Sequence, residues 1–317
     1  MTSLIGDIKD NQYIVTGACG RIGRRVVEAL CCKQASVVAY CLDPEILSAV
    51  AEQNPESLRV VSGSYEEAEK DLGKIVGSGN NIKERIVIHL AGMVSVPACD
   101  ENPGQAFDSN VFLTHKVLDF CKANNIKRFI FVSSGNVYGD RLDRPACEND
   151  PVYALGVYSA TKLAAENLVE GYCHSFGMKA FIVRLSNVYM KDPSPDAVLG
   201  AIIGSVEEGG DVCVKKLYPV RDFIYVDDVV EGLVRLSAAQ PDDKCVYVNL
   251  SSGRGSSVEE LAGICCGKAG ISRRIIGKEQ KLDDSYSYNV LNNEKLRKIL
   301  DWVPGITLEQ GIEKVME

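Results

Sequence analysis

Short apolar runs rich in β-branched residues, each closed by glycine or a polar residue, recur along the first part of the chain. They read YIVTG (13–17), ASVVAYC (35–41), LRVVSG (58–63), RIVIHLAG (85–92), RFIFVSS (128–134) and KAFIVRL (179–185). Between most of them lie longer stretches with apolar residues at helical spacing, among them 21–32, 103–125 and 157–176. A strand buried on both faces must be apolar throughout, and parallel neighbours need a crossover between them. The alternation therefore predicts right-handed βαβ units around a parallel sheet covered on both sides. In such sheets ligands bind beyond the carboxyl ends of the strands.

After residue 187 the rhythm changes. KDPSPDAVLG (191–200) and EEGGDVCVKKLYPVRDF (207–223) are rich in proline, glycine and charge, and the last third reads as short helices. At 317 residues the chain exceeds the length, about 250–300, at which single cores divide. The expected fold class is α/β: a Rossmann-type doubly wound parallel sheet from residues 1–186 and 222–249, with a smaller C-terminal α/β lobe from 187–221 and 250–317 that binds substrate against it.

The stretch YIVTGACGRIGRRVVEAL (13–30) is a strand, a glycine turn and a helix. Gly17, Gly20 and Gly23 allow a tight turn, close approach of the backbone to a pyrophosphate and packing of helix on strand, while the helix N-terminus attracts phosphate charge. This predicts a dinucleotide site along Gly17, Cys19, Gly20, Arg21, Ile22 and Gly23. A carboxylate for the ribose belongs near the end of the second strand; there the chain reads AYCLDP, with Cys41 at the position itself and Asp43 two beyond. Asp43 favours NAD, whereas Arg21, Arg24 and Arg25 leave NADP open.

A net charge of −8 argues against nucleic acid as a partner. The start, MTSLIGDIKDNQY, carries Asp7, Lys9 and Asp10 where a secretory signal needs an apolar run, and no run approaches the about 20 residues of a membrane span. The expectation is a cytoplasmic protein with no membrane partner. Twelve cysteines include no C-x-x-C pair, and His89, His115 and His174 are scattered, so no metal is expected. The cysteines read as small buried apolar residues of a reducing compartment.

GVYSATKLAAENLVEG (156–171) places Tyr158 and Lys162 one helical turn apart. An ammonium under a phenol favours the phenolate and draws its pKa toward the working range of an acid–base catalyst for a hydroxyl group. The same spacing also describes a half-buried tyrosine and a solvated lysine on an ordinary amphipathic helix.

TGACGRIG, HLAG (89–92), VSSGNVYG (132–139), YSATK (158–162), RLSNVY (184–189) and RDFIYVDD (221–228), in that order across nearly the whole chain, resemble the extended short-chain dehydrogenase/reductase family, in its nucleotide-sugar epimerase and dehydratase branch. The resemblance implies Tyr158 as catalytic acid–base, Lys162 as the group that lowers its pKa and bonds the nicotinamide ribose, and Ser134 as the hydroxyl that orients the sugar oxygen. It implies cofactor contacts from Leu90, Ala91, Gly92, Asn110 and Ser133. Substrate contacts are implied for Val94, Asn136, Asn187 and Arg221, the last two at a diphosphate. For Arg221 an ion pair with Asp222 or Asp227 is the alternative, and His89 reads as a packed strand residue.

Dehydratases of that family carry an Asp-Glu pair after the catalytic hydroxyl residue; Gly135 and Asn136 stand there, leaving elimination without a proton donor. The implied activity is epimerisation of a nucleotide sugar through a 4-keto intermediate. A ketoreductase or sugar dehydrogenase is the alternative, and a non-catalytic cofactor-binding regulator is a third reading. Three departures concern the substrate: Ser64 replaces an adenine-contacting Asp, IIGKEQKLDDSYSY (275–288) replaces an Arg-Pro-Gly-Asp-like segment, and KKLYPV before Arg221 lacks the usual glycines. Helices 103–125 and 157–176 correspond to the pair through which relatives dimerise, which implies a homodimer.

Overall fold

β1 (Gln12–Thr16), β2 (Ser36–Cys41), β3 (Leu58–Ser62), β4 (Arg85–His89), β5 (Arg128–Ser134) and β6 (Lys179–Leu185) realise the six apolar runs in a computed structural model that describes residues 8–78, 82–140, 142–195, 197–279 and 287–317. Further on come β7 (Asn187–Tyr189), β8 (Val212–Val214), β9 (Val220–Tyr225), β10 (Cys245–Leu250), β11 (Gly255–Ser257), β12 (Ile275–Gly277) and β13 (Tyr288–Asn289). Residues 280–286 of the C-terminal departure segment lie outside the described residues.

Seven strands form one sheet in the order β10-β6-β5-β4-β1-β2-β3. β1 pairs in parallel with β2, Thr16 opposite Tyr40, and with β4, Thr16 opposite His89. The chain thus winds outward from β1 first to one side and then to the other, so the order reverses between β1 and β4, the usual ligand position in such sheets. β1 and β5 are buried along their whole length, as the continuous apolar runs require. Ile14, Val38, Val87, Phe129, Phe131 and Ile182 pack with Leu118 and Val169 into one core. Each fully buried side chain of this size contributes roughly 1.5–3 kcal/mol before entropy is subtracted.

The helices are α1 (Arg21–Cys32), α2 (Ser48–Gln53), α3 (Tyr65–Ser78), α4 (Val96–Glu101), α5 (Pro103–Phe107), α6 (Leu113–Ala123), α7 (Val157–Phe176), α8 (Val198–Glu207), α9 (Val226–Ala238), α10 (Val258–Lys268), α11 (Glu294–Leu300) and α12 (Leu308–Met316). The helix expected over 103–125 is interrupted: a π turn at Asp108–Phe112 separates α5 from α6. Among the described residues no helix is long and apolar enough to cross a membrane.

Two compact units divide the chain. One takes in the described residues of 1–137, 153–184 and 230–248; the other takes in those of 138–152, 185–229 and 249–317. In the second unit β9 is central, parallel to β7 and β13 and antiparallel to β11, while β8 pairs with β12. α10 and α12 each begin with a reciprocal capping box, Ser257 with Glu260 and Thr307 with Gln310.

Candidate functional site

The glycine loop joins β1 to α1. Gly17 has φ +68°, and a Cβ there would lie 2.6 Å from the backbone N of Ala91; a Cβ on Gly23 would collide with the carbonyl of Gly17. Any side chain at these two positions would force loop, helix and β4 apart. α1 starts after Gly20 with no side-chain cap and no acidic residue in its first turn. Its leading N–H groups and positive dipole end therefore suit a diphosphate. Ala18 N–H bonds the carbonyl of Tyr40 at 3.2 Å, tying the loop to β2. Arg24 pairs with Glu28 at 2.8 Å on the exposed face of α1. Exposed Asp43 accepts the N–H of Glu45 at 3.2 Å and opens the short helical turn Pro44–Leu47.

One expectation fails here. Cys19 and Cys41 are joined as a disulfide, with Cα atoms 5.5 Å apart, so the reading of all twelve cysteines as free buried thiols is corrected. The other ten are free. The glycine turn brings Cys19 against the last residue of β2, a contact that sequence spacing does not reveal.

At the carboxyl end of β5 and the start of α7 the structure brings Ser134, Tyr158 and Lys162 together. The first turn of α7 is fastened by the N–H of Val157, which bonds Asp100 Oδ1 at 3.2 Å, and by Ser159 Oγ, which accepts the N–H of Gly156 at 3.2 Å. Tyr158 lies beside Ser134, whose Oγ accepts the N–H of Asn136 at 3.2 Å. Lys162 is 4% exposed; its Nζ donates to the carbonyl of Val132 at 2.9 Å and lies 5.1 Å above the ring of Phe131.

The expected direction of the Tyr158 pKa is also corrected. Burial raises it above its ordinary value, the Ser134 hydrogen bond opposes the rise, and the nearby Cys99 adds to it. The Lys162 ammonium is turned to a backbone carbonyl, and burial pushes its own pKa down to about 8 against the pull of Glu166. A desolvated interior penalises both charged forms.

Sequence reasoning missed Glu166. It lies on the same face of α7 as Tyr158 and Lys162, one turn further on, and that repeat at every fourth residue was the available signal. Fully buried, it accepts from Ser133 Oγ at 2.5 Å and from Arg184 Nε at 3.1 Å and Nη2 at 2.8 Å. The Ser133 hydroxyl is thus engaged with α7.

Asn110 sits in the π turn, 1% exposed. Its amide accepts from Met93 N–H at 2.8 Å and donates to Met93 O and Thr161 Oγ1, each at 3.0 Å. One side chain thus holds the segment after β4 against α7, and π turns of this kind recur near functional sites. A Cβ on Gly92 would meet Asn110 Oδ1 at 2.5 Å and Lys162 Nζ at 3.7 Å, while Ala91 lies against Gly17. Leu90 N–H bonds Thr16 O at 3.1 Å, whereas Val94 is 67% exposed. His89 is a packed residue: fully buried, bonded to Thr16 at 2.6 Å and Thr114 at 2.9 Å, with its pKa lowered to about 3 by burial and then by Lys162.

In the second unit Asn187 opens β7, half-buried. Arg221 on β9 pairs with Asp140 at 3.1 Å and donates to Ser287 Oγ at 2.7 Å. The alternative partner Asp222 is instead fully buried and accepts from Ser252 N–H and Oγ and Gly253 N–H, so it fastens a turn.

Residues 13–248 match the model of the NAD dependent epimerase/dehydratase family. A putative UDP-glucose 4-epimerase of Methanocaldococcus jannaschii is 29% identical over 314 residues, covering 96% of each chain. Among solved structures, UDP-glucose 4-epimerase of Thermotoga maritima with UDP-glucose superimposes with a TM-score of 0.82 at 24% identity, covering 96% of this chain and 97% of the other. MoeE5 in complex with UDP-glucose and NAD gives a TM-score of 0.80 at 25% identity, again covering 96% and 97%.

Proposed function

The chain belongs to the NAD dependent epimerase/dehydratase family, and from that premise we propose that it is a nucleotide-sugar 4-epimerase acting on a UDP-linked hexose. The observation that carries the reading is that buried Tyr158 lies beside Ser134 at the end of β5, with buried Lys162 one turn along the same helix.

The loop from Gly17 to Gly23 fits the diphosphate of NAD, and Lys162 would hold the nicotinamide ribose. Bound NAD would supply the hydride acceptor and donor for the sugar carbon. The protein supplies the proton chemistry: Ser134 orients the sugar hydroxyl, Tyr158 accepts its proton and later returns it, and both hydroxyls stay in register because β5 and the first turn of α7 are fixed. Burial works against the phenolate that the base role requires, and Ser134 opposes that rise. Glu166 and Arg184, paired in the interior, keep α7 against β5 through Ser133. Gly135 and Asn136 occupy the place of a dehydratase's extra acid and base.

Asn187 and Arg221 would bind the substrate diphosphate; the planar guanidinium suits two phosphate oxygens while Asp140 holds it in place. The same reading makes the protein a cytoplasmic homodimer through α5–α6 and α7, where Phe107, Phe112 and Phe176 expose apolar surface.

The test is incubation with NAD⁺ and a panel of UDP-sugars, with isomers separated by ion-exchange chromatography. The native chain should convert one of them to its C4 epimer, and Tyr158→Phe should lose about 10²–10⁴-fold in turnover. A protein that only oxidises added NADH with a keto-sugar would be a reductase.

A further inference from the structure

Cys19 and Cys41 bridge the glycine loop to the end of β2. One lies in the glycine loop between Gly17 and Gly20; the other is the last residue of β2. Nucleotide-binding sheets of this kind place the ribose carboxylate at that strand end. Here Cys41 holds the position, and Asp43 caps a turn beyond it. The Cα separation of 5.5 Å falls inside the range of about 4.4–6.8 Å in which two cysteines bridge without backbone movement. Cys19 is partly exposed and its neighbour Gly20 is exposed, so a small reagent can reach the loop, whereas Cys41 is 3% exposed.

We propose that Cys19 and Cys41 are a reversible dithiol–disulfide switch on the dinucleotide site: the dithiol binds NAD and the disulfide excludes it. The proposal rests on the reading of this loop as the NAD site. The bridge fastens the loop side chain to β2 and removes both S–H donors at the strand end where such folds bind the ribose. Oxidation proceeds by exchange with a low-molecular-weight disulfide such as oxidised glutathione. The Cys19 thiolate attacks it, forming a mixed disulfide and releasing one small thiol. Cys41 sulfur then attacks Cys19 sulfur, the protein S–S bond forms and the second small thiol leaves. The pair loses two electrons to the reagent, and its two protons end on the two small thiols.

The experiment uses the full chain equilibrated in glutathione buffers of graded potential, with thiols mapped by alkylation and mass spectrometry and NAD affinity measured by calorimetry. Oxidation should remove alkylation at Cys19 and Cys41 together and weaken NAD binding at least tenfold, and reductant should restore it. Linkage then requires saturating NAD to raise the midpoint potential of the pair by about 30 mV for each tenfold difference in affinity. Cys19→Ala and Cys41→Ala should each show one NAD affinity under both conditions. A pair that stays reduced throughout, or a bridge that forms and leaves NAD affinity within twofold, overturns the proposal. A reduced protein that fails to bind NAD overturns the cofactor reading and this inference with it.

Discussion

Replacing Lys162 by methionine should stabilise the cofactor-free protein while abolishing its activity. Lys162 is 4% exposed, and burial takes its pKa from 10.5 to about 8. At about 1.36 kcal/mol per unit, keeping the ammonium charged in the interior costs about 3 kcal/mol at neutral pH. Methionine fills a similar volume without charge. The carbonyl of Val132 loses its donor, a cost of about 1 kcal/mol, so the net gain near pH 7 is about 2 kcal/mol. The sign follows from proton binding. Between pH 8 and 10.5 the unfolded chain holds the Lys162 proton and the folded chain does not, so the native protein gains stability with rising pH across that window. The advantage of the variant should be full below about pH 8 and vanish near pH 10. Urea denaturation of both proteins at several pH values measures it, and the difference between them cancels the other titrating groups. A variant less stable than the parent at neutral pH, or a gain that does not change with pH, would refute the reasoning.

Glu166→Gln leaves Arg184 buried without its countercharge, with side chains 1% and 5% exposed, and should cost about 3–5 kcal/mol in urea denaturation. Gly23→Ala drives a methyl group into the Gly17 carbonyl and should weaken NAD binding more than about tenfold by calorimetry, because the loop must open. Arg221→Met should raise KM for the nucleotide sugar with little change in kcat, as expected when a group binds ground state and transition state alike; an equal loss in both would place Arg221 in the chemistry instead.

The parallel sheet was legible because strands buried on both faces must be apolar throughout: the runs at 128–134 and 179–185 coincide with β5 and β6, and the helical stretches 21–32 and 157–176 with α1 and α7. Ser134, Tyr158 and Lys162 were legible as a group, the last two by helical spacing. The rest depends on contacts between residues distant in the chain, which local periodicity does not register. Asn110 in the π turn meets Met93, 17 residues away. Glu166 finds Ser133 and Arg184 33 and 18 residues away. Asp140 meets Arg221 across 81 residues, and Cys41 meets Cys19 across 22. The raised Tyr158 pKa follows from burial, which a helical wheel does not measure.

The most direct measurement is proton NMR of the reaction of UDP-glucose and its relatives with the reduced protein and NAD⁺ in deuterium oxide. The expected product is a C4 epimer whose carbon-bound hydrogen at C4 is retained, since that hydrogen never exchanges with solvent. Deuterium at C4, or no epimer from any sugar of the panel while the native protein holds NAD, would contradict that expectation.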